Sequence, residues 1–201
     1  KQAREQGVTV PFVCMGYYNP FLHYKGGDNI NTLMQECKDV GVCGFIIVDL
    51  PPEESNDFRL ACKNNQLSYI PLVAPTTTDD RLEHLTNVAD SFIYAVSLTG
   101  VTGARSEMNK ELPNFVKRIK SYTNLPIAVG FGIGNSQQFD DVAQMSEGVV
   151  VGSALMNAVA AANLGQRGLA AKEAALKISQ RHTLTDHSKI NINDSTNNKE
   201  F

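Results

Sequence analysis

The sequence predicts an α/β fold built on a parallel sheet, and three observations carry that expectation. Six short apolar runs follow Gly7, at 8–15, 44–49, 68–74, 91–97, 126–131 and 148–153. Most are nearly uninterrupted, as in FIIV (45–48) and GVVVG (148–152). Strands covered on both faces read this way, and parallel sheets are covered on both faces. Helical periods lie between the runs. The run starts are spaced by roughly 22 to 36 residues, the size of a βα unit. Six such units over about 182 residues fall short of the about 250 that an eight-unit barrel uses. Two architectures fit: an open doubly wound sheet, or a barrel lacking two units.

The elements can be justified in order. Residues 1–6 (KQAREQ) read as the last turns of a helix, with Gly7 as the stop, since glycine takes the left-handed conformation freely. The chain opens on Lys1 with no signal peptide, so a helix end without a helix beginning leads us to expect a piece of something longer. Ile30, Leu33, Met34 and Cys37 form one apolar stripe at helical spacing; Leu112, Phe115, Val116 and Ile119 form another. Leu82, Leu85 and Ala89 continue the theme. Asp28 is placed to cap the first of these helices, and Asn135 with Gln138 three residues on is placed to cap a later one. Residues 163–168 (NLGQRG) break the helical run after the last strand, and 169–180 form a helix by propensity. We expect one domain over 1–182 and a polar linker or disordered tail over 183–201.

Composition narrows the function classes. The chain has 201 residues, 18 Lys+Arg against 21 Asp+Glu, a net charge of −3, and 42% hydrophobic residues. That balance disfavours a nucleic-acid or anionic-membrane surface. No apolar run approaches the roughly 18 residues of a membrane span. Cys14, Cys37, Cys43 and Cys62 fit neither a CxxC motif nor a disulfide framework, and read as buried free thiols in a reducing, cytoplasmic setting. The four histidines lack metal-site spacing, so no metal is expected.

The residues that could carry chemistry sit at strand ends. Gly130, Gly132 and Gly134 close one strand before a helix, and Gly152 with Ser153 close the next. Glycines there let backbone N–H groups approach an anion, and the helix N-terminus adds a favourable dipole. Two such motifs in succession point to a phosphate. SLTGVTGAR (97–105) reads either as an ordinary flexible connection or as a glycine-hinged lid. YYNP (17–20) puts two aromatics at the same end. Asp49, in VDLPPEE, closes a buried strand and serves either chemistry or a cap.

Together, MGYYNPF, VDLPPEES, SLTGVTGA, VGFGIGN and VVVGSA, in this order and spacing, closely resemble the α component of tryptophan synthase over about residues 8–160. The details are similar to the fungal form, in which α and β parts share one polypeptide. The resemblance implies a (β/α)8 TIM barrel, of which strands three to eight are present here. It implies retro-aldol cleavage of indole-3-glycerol phosphate to indole and glyceraldehyde 3-phosphate. The family's acid–base Glu and its indole-holding Asp lie at strand two, hence upstream of Lys1. Carried onto this sequence, Tyr17 and Tyr94 line the pocket, and Thr102 is the lid residue that helps position the catalytic Asp. Gly103, Phe131, Gly132, Gly152 and Ser153 form the phosphate cradle, while Asn19 and Pro51 face the β partner. No cofactor is implied in this domain; pyridoxal phosphate belongs to the β partner. The lid departs from the family pattern, reading Ser97–Leu98 where Ser-Arg is usual.

Two competitors stand beside the lyase reading. One is a non-catalytic module that keeps the cradle and the partner-facing loops. The other is a different phosphate-binding barrel, such as a phosphoribosyl isomerase, which the lid sequence disfavours.

Overall fold

The computed structural model describes residues 1–26, 30–96, 110–130 and 132–179. Helix α1 (Gln2–Glu5) ends as expected. Gly7 takes φ +84° and donates to the Arg4 carbonyl at 2.9 Å. The first strand, β1 (Phe12–Gly16), starts four residues later than expected. Pro11 has no N–H to give a ladder. The carbonyls of Val8 and Val10 are instead taken by Arg4, whose Nη1 donates to both at 2.8 Å. Its Nη2 donates to Gly41 O at 2.7 Å, and the guanidinium lies 4.4 Å over the Phe12 ring. Arg4 thus clips the lead-in of β1 to the neighbouring turn.

The chain continues through α2 (Tyr18–Leu22), α3 (Ile30–Asp39), β2 (Val42–Ile47), α4 (Asn56–Asn64), β3 (Ser68–Tyr69), β4 (Leu72–Val73), α5 (Asp79–Val88), β5 (Ile93–Val96), α6 (Leu112–Lys120), β6 (Ile127–Gly130), α7 (Ser136–Ala143), β7 (Gly148–Val149), α8 (Ser153–Ala161) and α9 (Arg167–Ser179). Every strand pair is parallel. The ladders run β1-β2-β3 and β4-β5-β6-β7. The single strand expected at 68–74 is two, because Pro71 sits in its middle. Ile70 N donates to Phe45 O at 2.9 Å, whereas Pro71 O accepts from Tyr94 N at 3.0 Å. The segment thereby passes pairing from β2 to β5. Strands in strict chain order exclude a doubly wound sheet, whose order reverses at a switch point. The fold is part of a TIM barrel, with β1 and β7 at its two edges among the described residues.

Residues alternate between two apolar layers. On the outer face, Leu112, Phe115, Val116 and Ile119 of α6 are all buried against Val73, Ile93, Ala95, Ile127 and Val129. Pro113 at the first turn of α6 needs no helical N–H partner there. The α3 stripe also holds: Leu33 and Met34 are buried, and Ile30 and Cys37 pack beside Phe45, Phe58 and Tyr69. Leu82 and Leu85 of α5 are buried, with Ala89 packed beside them. On the inner face a smaller cluster joins Ile46, Ile70, Tyr94 and Val96. Val13 and Met15 share that face, by their register with Gly44 and Ile46, but remain exposed on edge strand β1.

The expected cap of α7 forms. Asn135 Oδ1 accepts from Gln138 N at 2.9 Å, and Gln138 Oε1 reaches back to Gly134 N at 2.8 Å. Asp28 lies outside the described residues. The break after α8 is shorter than expected, since Leu164–Gln166 is a 3₁₀ turn and α9 begins at Arg167. All four cysteines are free, but the expectation that all are buried holds only for Cys62: Cys14 and Cys37 are half-buried and Cys43 is exposed. The β1–β2 register passes from Phe12↔Val42 to Val13↔Gly44, so Cys43 is the extra residue of a bulge and lacks a ladder partner. Among the described residues, no helix is long and apolar enough to cross a membrane.

Candidate substrate site at the carboxyl ends of the strands

In a parallel β/α sheet, the loops that follow the strands gather at one end, and ligands bind there. The last two strands meet this requirement most directly. Val129 is level with Val149, and Val150 N donates to Val129 O at 2.8 Å. Gly132 and Gly152 therefore stand equally far beyond one register pair. Gly132 has φ +86°, a conformation that disfavours any side chain. Gly152 is the N-cap of α8, and a Cβ built on it meets nothing within 4 Å. The carbonyl of Gly152 accepts from Leu155 N at 3.0 Å and Met156 N at 3.1 Å, so the α8 turn is formed. The first N–H groups of a helix, here from Ser153 onward, have no partner within it. This corner offers backbone donors and open space, which is what an anion needs.

Tyr94 faces the same corner from β5. Only 5% of it is exposed, and it sits in the inner cluster. Register pairs Val96 with Gly130, and a Cβ on Gly130 would collide with the Tyr94 hydroxyl and touch Val150. The absence of a side chain at Gly130 thus makes room for the phenol. Burial pushes the Tyr94 pKa up, so the hydroxyl stays protonated near neutrality. The glycine pattern by itself places Gly130 only in an anion loop. Its role as a seat for Tyr94 depends on inter-strand register, which the glycine pattern does not disclose.

Tyr17, Asn19, Asp49 and Pro51 form a second group at the same end, beyond β1 and β2. Val48 N donates to Gly16 O at 3.0 Å, which aligns the two strand ends. Asp49 Oδ1 accepts from Tyr18 N at 2.6 Å, closing the first turn of α2. Of its two readings, the cap is the one the geometry forms. Tyr17 is 64% exposed, and Asn19 is exposed on α2. Pro51 O accepts from Glu54 N at 3.0 Å, and the buried Ser55 Oγ donates to Pro52 O at 2.8 Å, so the VDLPPEES loop is braced from within. A cavity of about 230 Å³ lies against this loop, lined by Asp49, Pro51, Pro52, Tyr69 and Arg81 among others.

The structure thus brings Tyr94, Gly132, Gly152 and Ser153 to one corner and Tyr17, Asn19 and Pro51 to another, with the strands β3 and β4 between. Thr102, Gly103, Phe131 and the Ser97–Leu98 pair lie outside the described residues. No group of acidic, histidine and cysteine side chains fit for a metal occurs among the described residues.

Parallel strands in chain order define a partial β/α barrel, with glycine turns at the carboxyl ends of its last two strands. The comparisons agree and go further. The family model described as tryptophan synthase alpha chain matches residues 1–186, and the chain belongs to that family. Tryptophan synthase of Saccharomyces cerevisiae is 47% identical over 173 residues, covering 86% of this chain and 24% of that protein. The tryptophan synthase alpha chain of Roseiflexus castenholzii is 45% identical over 163 residues, covering 81% of this chain and 61% of that one. Among solved structures, the tryptophan synthase α2β2 complex of Pyrococcus furiosus includes a chain that is 30% identical, with a TM-score of 0.74. That match covers 87% of this chain and 68% of the other. The chain therefore spans less than two thirds of the curated relatives it matches.

Proposed function

We propose that this chain is the substrate-holding part of an enzyme of tryptophan biosynthesis. The reaction is cleavage of indole-3-glycerol phosphate to indole and glyceraldehyde 3-phosphate. The observation that carries the reading is the level pairing of Gly132 and Gly152 beyond Val129 and Val149, with Tyr94 seated against Gly130. Gly132, Gly152 and Ser153, joined by Gly103 and Phe131, hold the phosphate through backbone N–H groups. Tyr94 and Tyr17 line the remainder of the pocket, and Thr102 belongs to the lid.

The chemistry is a retro-aldol step. Indole C3 gains a proton, the adjacent glycerol hydroxyl loses one, and the C–C bond between them breaks to give indole and an aldehyde. A general acid–base group typically contributes about 10²–10⁴-fold and must lie within hydrogen-bond reach of its proton. Asp49 accepts the Tyr18 N–H at the end of β2, and we assign it this capping role rather than the acid–base one. We assign the acid–base work to a Glu, and the hold on the indole N–H to an Asp, both encoded before Lys1. Leu98 stands where the family's lid carries Arg. Asn19 and Pro51 face a β component; the Pyrococcus furiosus relative is described as an α2β2 complex.

The test is indole release from indole-3-glycerol phosphate, comparing residues 1–201 with the full-length protein its gene encodes. Turnover only in the longer chain is expected. Equal turnover would place the catalytic groups inside 1–201, and no turnover in either would favour a non-catalytic binding module.

A further inference from the structure

The turn that follows β4 is held by a side chain from a neighbouring helix. Residues 74–77 form a tight turn with Pro75 at its second position. Thr77 N donates to Ala74 O at 2.9 Å, and Ala74 N donates to Thr77 Oγ1 at 3.0 Å. Two carbonyls of this turn point to Arg118 on α6. Arg118 Nη2 donates to Thr77 O at 2.7 Å and to Pro75 O at 3.2 Å. Nη1 lies 3.8 Å from the Asp79 carboxylate at the start of α5, and the guanidinium is 5.5 Å from the Phe115 ring centre. The helix carrying it is seated by four buried side chains: Leu112, Phe115, Val116 and Ile119. Arg118 therefore projects from a fixed base, and the turn is the part being held.

The turn also touches the inner layer. Ala74 packs against the cluster that contains Ile70 and Tyr94, and β4 pairs with β5 so that Leu72 is level with Tyr94. Going round the sheet, the turn lies on the far side of β5 from the Gly132–Gly152 corner. Resting on the reading that this end of the barrel binds indole-3-glycerol phosphate, we infer that Arg118 is a positioning residue for the substrate site. It fixes the 74–77 turn as a wall of the mouth, one strand removed from the phosphate corner, and so serves the part of the substrate beyond the phosphate. Lysine is a poor replacement, because one ammonium on a flexible stem lacks the planar fork that spans two carbonyls.

The test uses the full-length protein with Arg118→Gln and Arg118→Lys. Misplacing a wall without touching reacting groups is expected to raise KM for indole-3-glycerol phosphate about tenfold in R118Q, with kcat changed less than about twofold. Inhibition by glycerol 3-phosphate, which engages only the phosphate corner, is expected to be unchanged. R118K is expected to keep most of the KM defect. A purely structural role would instead weaken both ligands together. An unchanged KM, or parallel losses for substrate and glycerol 3-phosphate, overturns the inference alone. A wild-type enzyme that does not cleave indole-3-glycerol phosphate overturns the underlying reading as well.

Discussion

Tyr94 and Gly130 occupy one space: the phenol hydroxyl of Tyr94 lies where a side chain on Gly130 would begin, with Val150 closing the other side. The neighbours are strand residues, so little can yield. Gly130→Ala should cost about 1–3 kcal/mol, the usual range for overpacking a filled site. Removing the obstructing hydroxyl by Tyr94→Phe should recover part of that loss, so the double variant should be more stable than the sum of the single changes predicts. Urea unfolding of the four proteins measures the coupling. Additive effects would mean the two side chains do not compete.

Gly152 has the opposite surroundings. A Cβ there enters open space, so Gly152→Asp should leave the unfolding midpoint nearly unchanged. The new carboxylate would lie at the mouth of α8, against a bound phosphate, and should weaken glycerol 3-phosphate binding roughly tenfold or more. Calorimetry on the full-length protein checks this. Unchanged affinity would remove Gly152 from the phosphate site.

The thiols should separate by reactivity. Burial, then the nearby Asp90 and Cys37, pushes the Cys62 thiol up to about 12, and Cys62 is fully enclosed. Cys43 stands exposed in its bulge. A thiol-exchange reagent should modify Cys43 first and Cys62 only on unfolding. Cys43→Ser should abolish the fast phase; persistence of that phase would contradict the β1–β2 register.

Glu147 links stability to pH. Burial works to raise its pKa, but the Lys120 ammonium at 2.7 Å and the Ile127 N–H at 2.9 Å outweigh it and hold the carboxyl below its ordinary value. A carboxylate with a lowered folded-state pKa stabilises fully above its unfolded value, about 4.3, and the benefit is lost as pH falls through the folded value. The thermal-stability gap between the wild type and Glu147→Gln should therefore be widest near about pH 7 and narrow towards about pH 3. A gap independent of pH would show that the carboxylate charge contributes nothing.

Much of the architecture was legible because local rules and the fold agreed. The α6 stripe was readable as 3.6-residue spacing, and all four of its side chains are buried. Gly7 and the Asn135–Gln138 cap follow from backbone conformation alone. The late start of β1 was also written in Pro11, whose missing N–H outweighed the apolar run around it. What could not be read depends on contacts distant in sequence. Arg4 reaches Gly41, Arg118 reaches Thr77, and Gly130 receives Tyr94; none of these follows from periodicity. For the candidate site, the glycine turns were legible as such, and the register sets Gly132 and Gly152 level beyond Val129 and Val149. The capping task of Asp49 was one of two open readings until Tyr18 N was placed against it.

The passage of pairing at Pro71 has a consequence for cooperativity. The β1-β2-β3 ladder and its aromatic cluster around Phe45 and Phe58 share no strand hydrogen bond with the β4-β5-β6-β7 ladder. Contact between the halves includes the covalent step from Ile70 to Pro71, the Tyr94 N–H to Pro71 O bond, the Tyr69 N–H to Asp90 Oδ2 bond, Val88 packed against the aromatic cluster, and the inner cluster where Ile46 and Ile70 meet Tyr94 and Val96. A sheet joined in this way can open as two units, each retaining its own ladder. The inner cluster that holds Tyr94, together with the packing of Val88, is then part of what keeps the two halves of the molecule thermodynamically one.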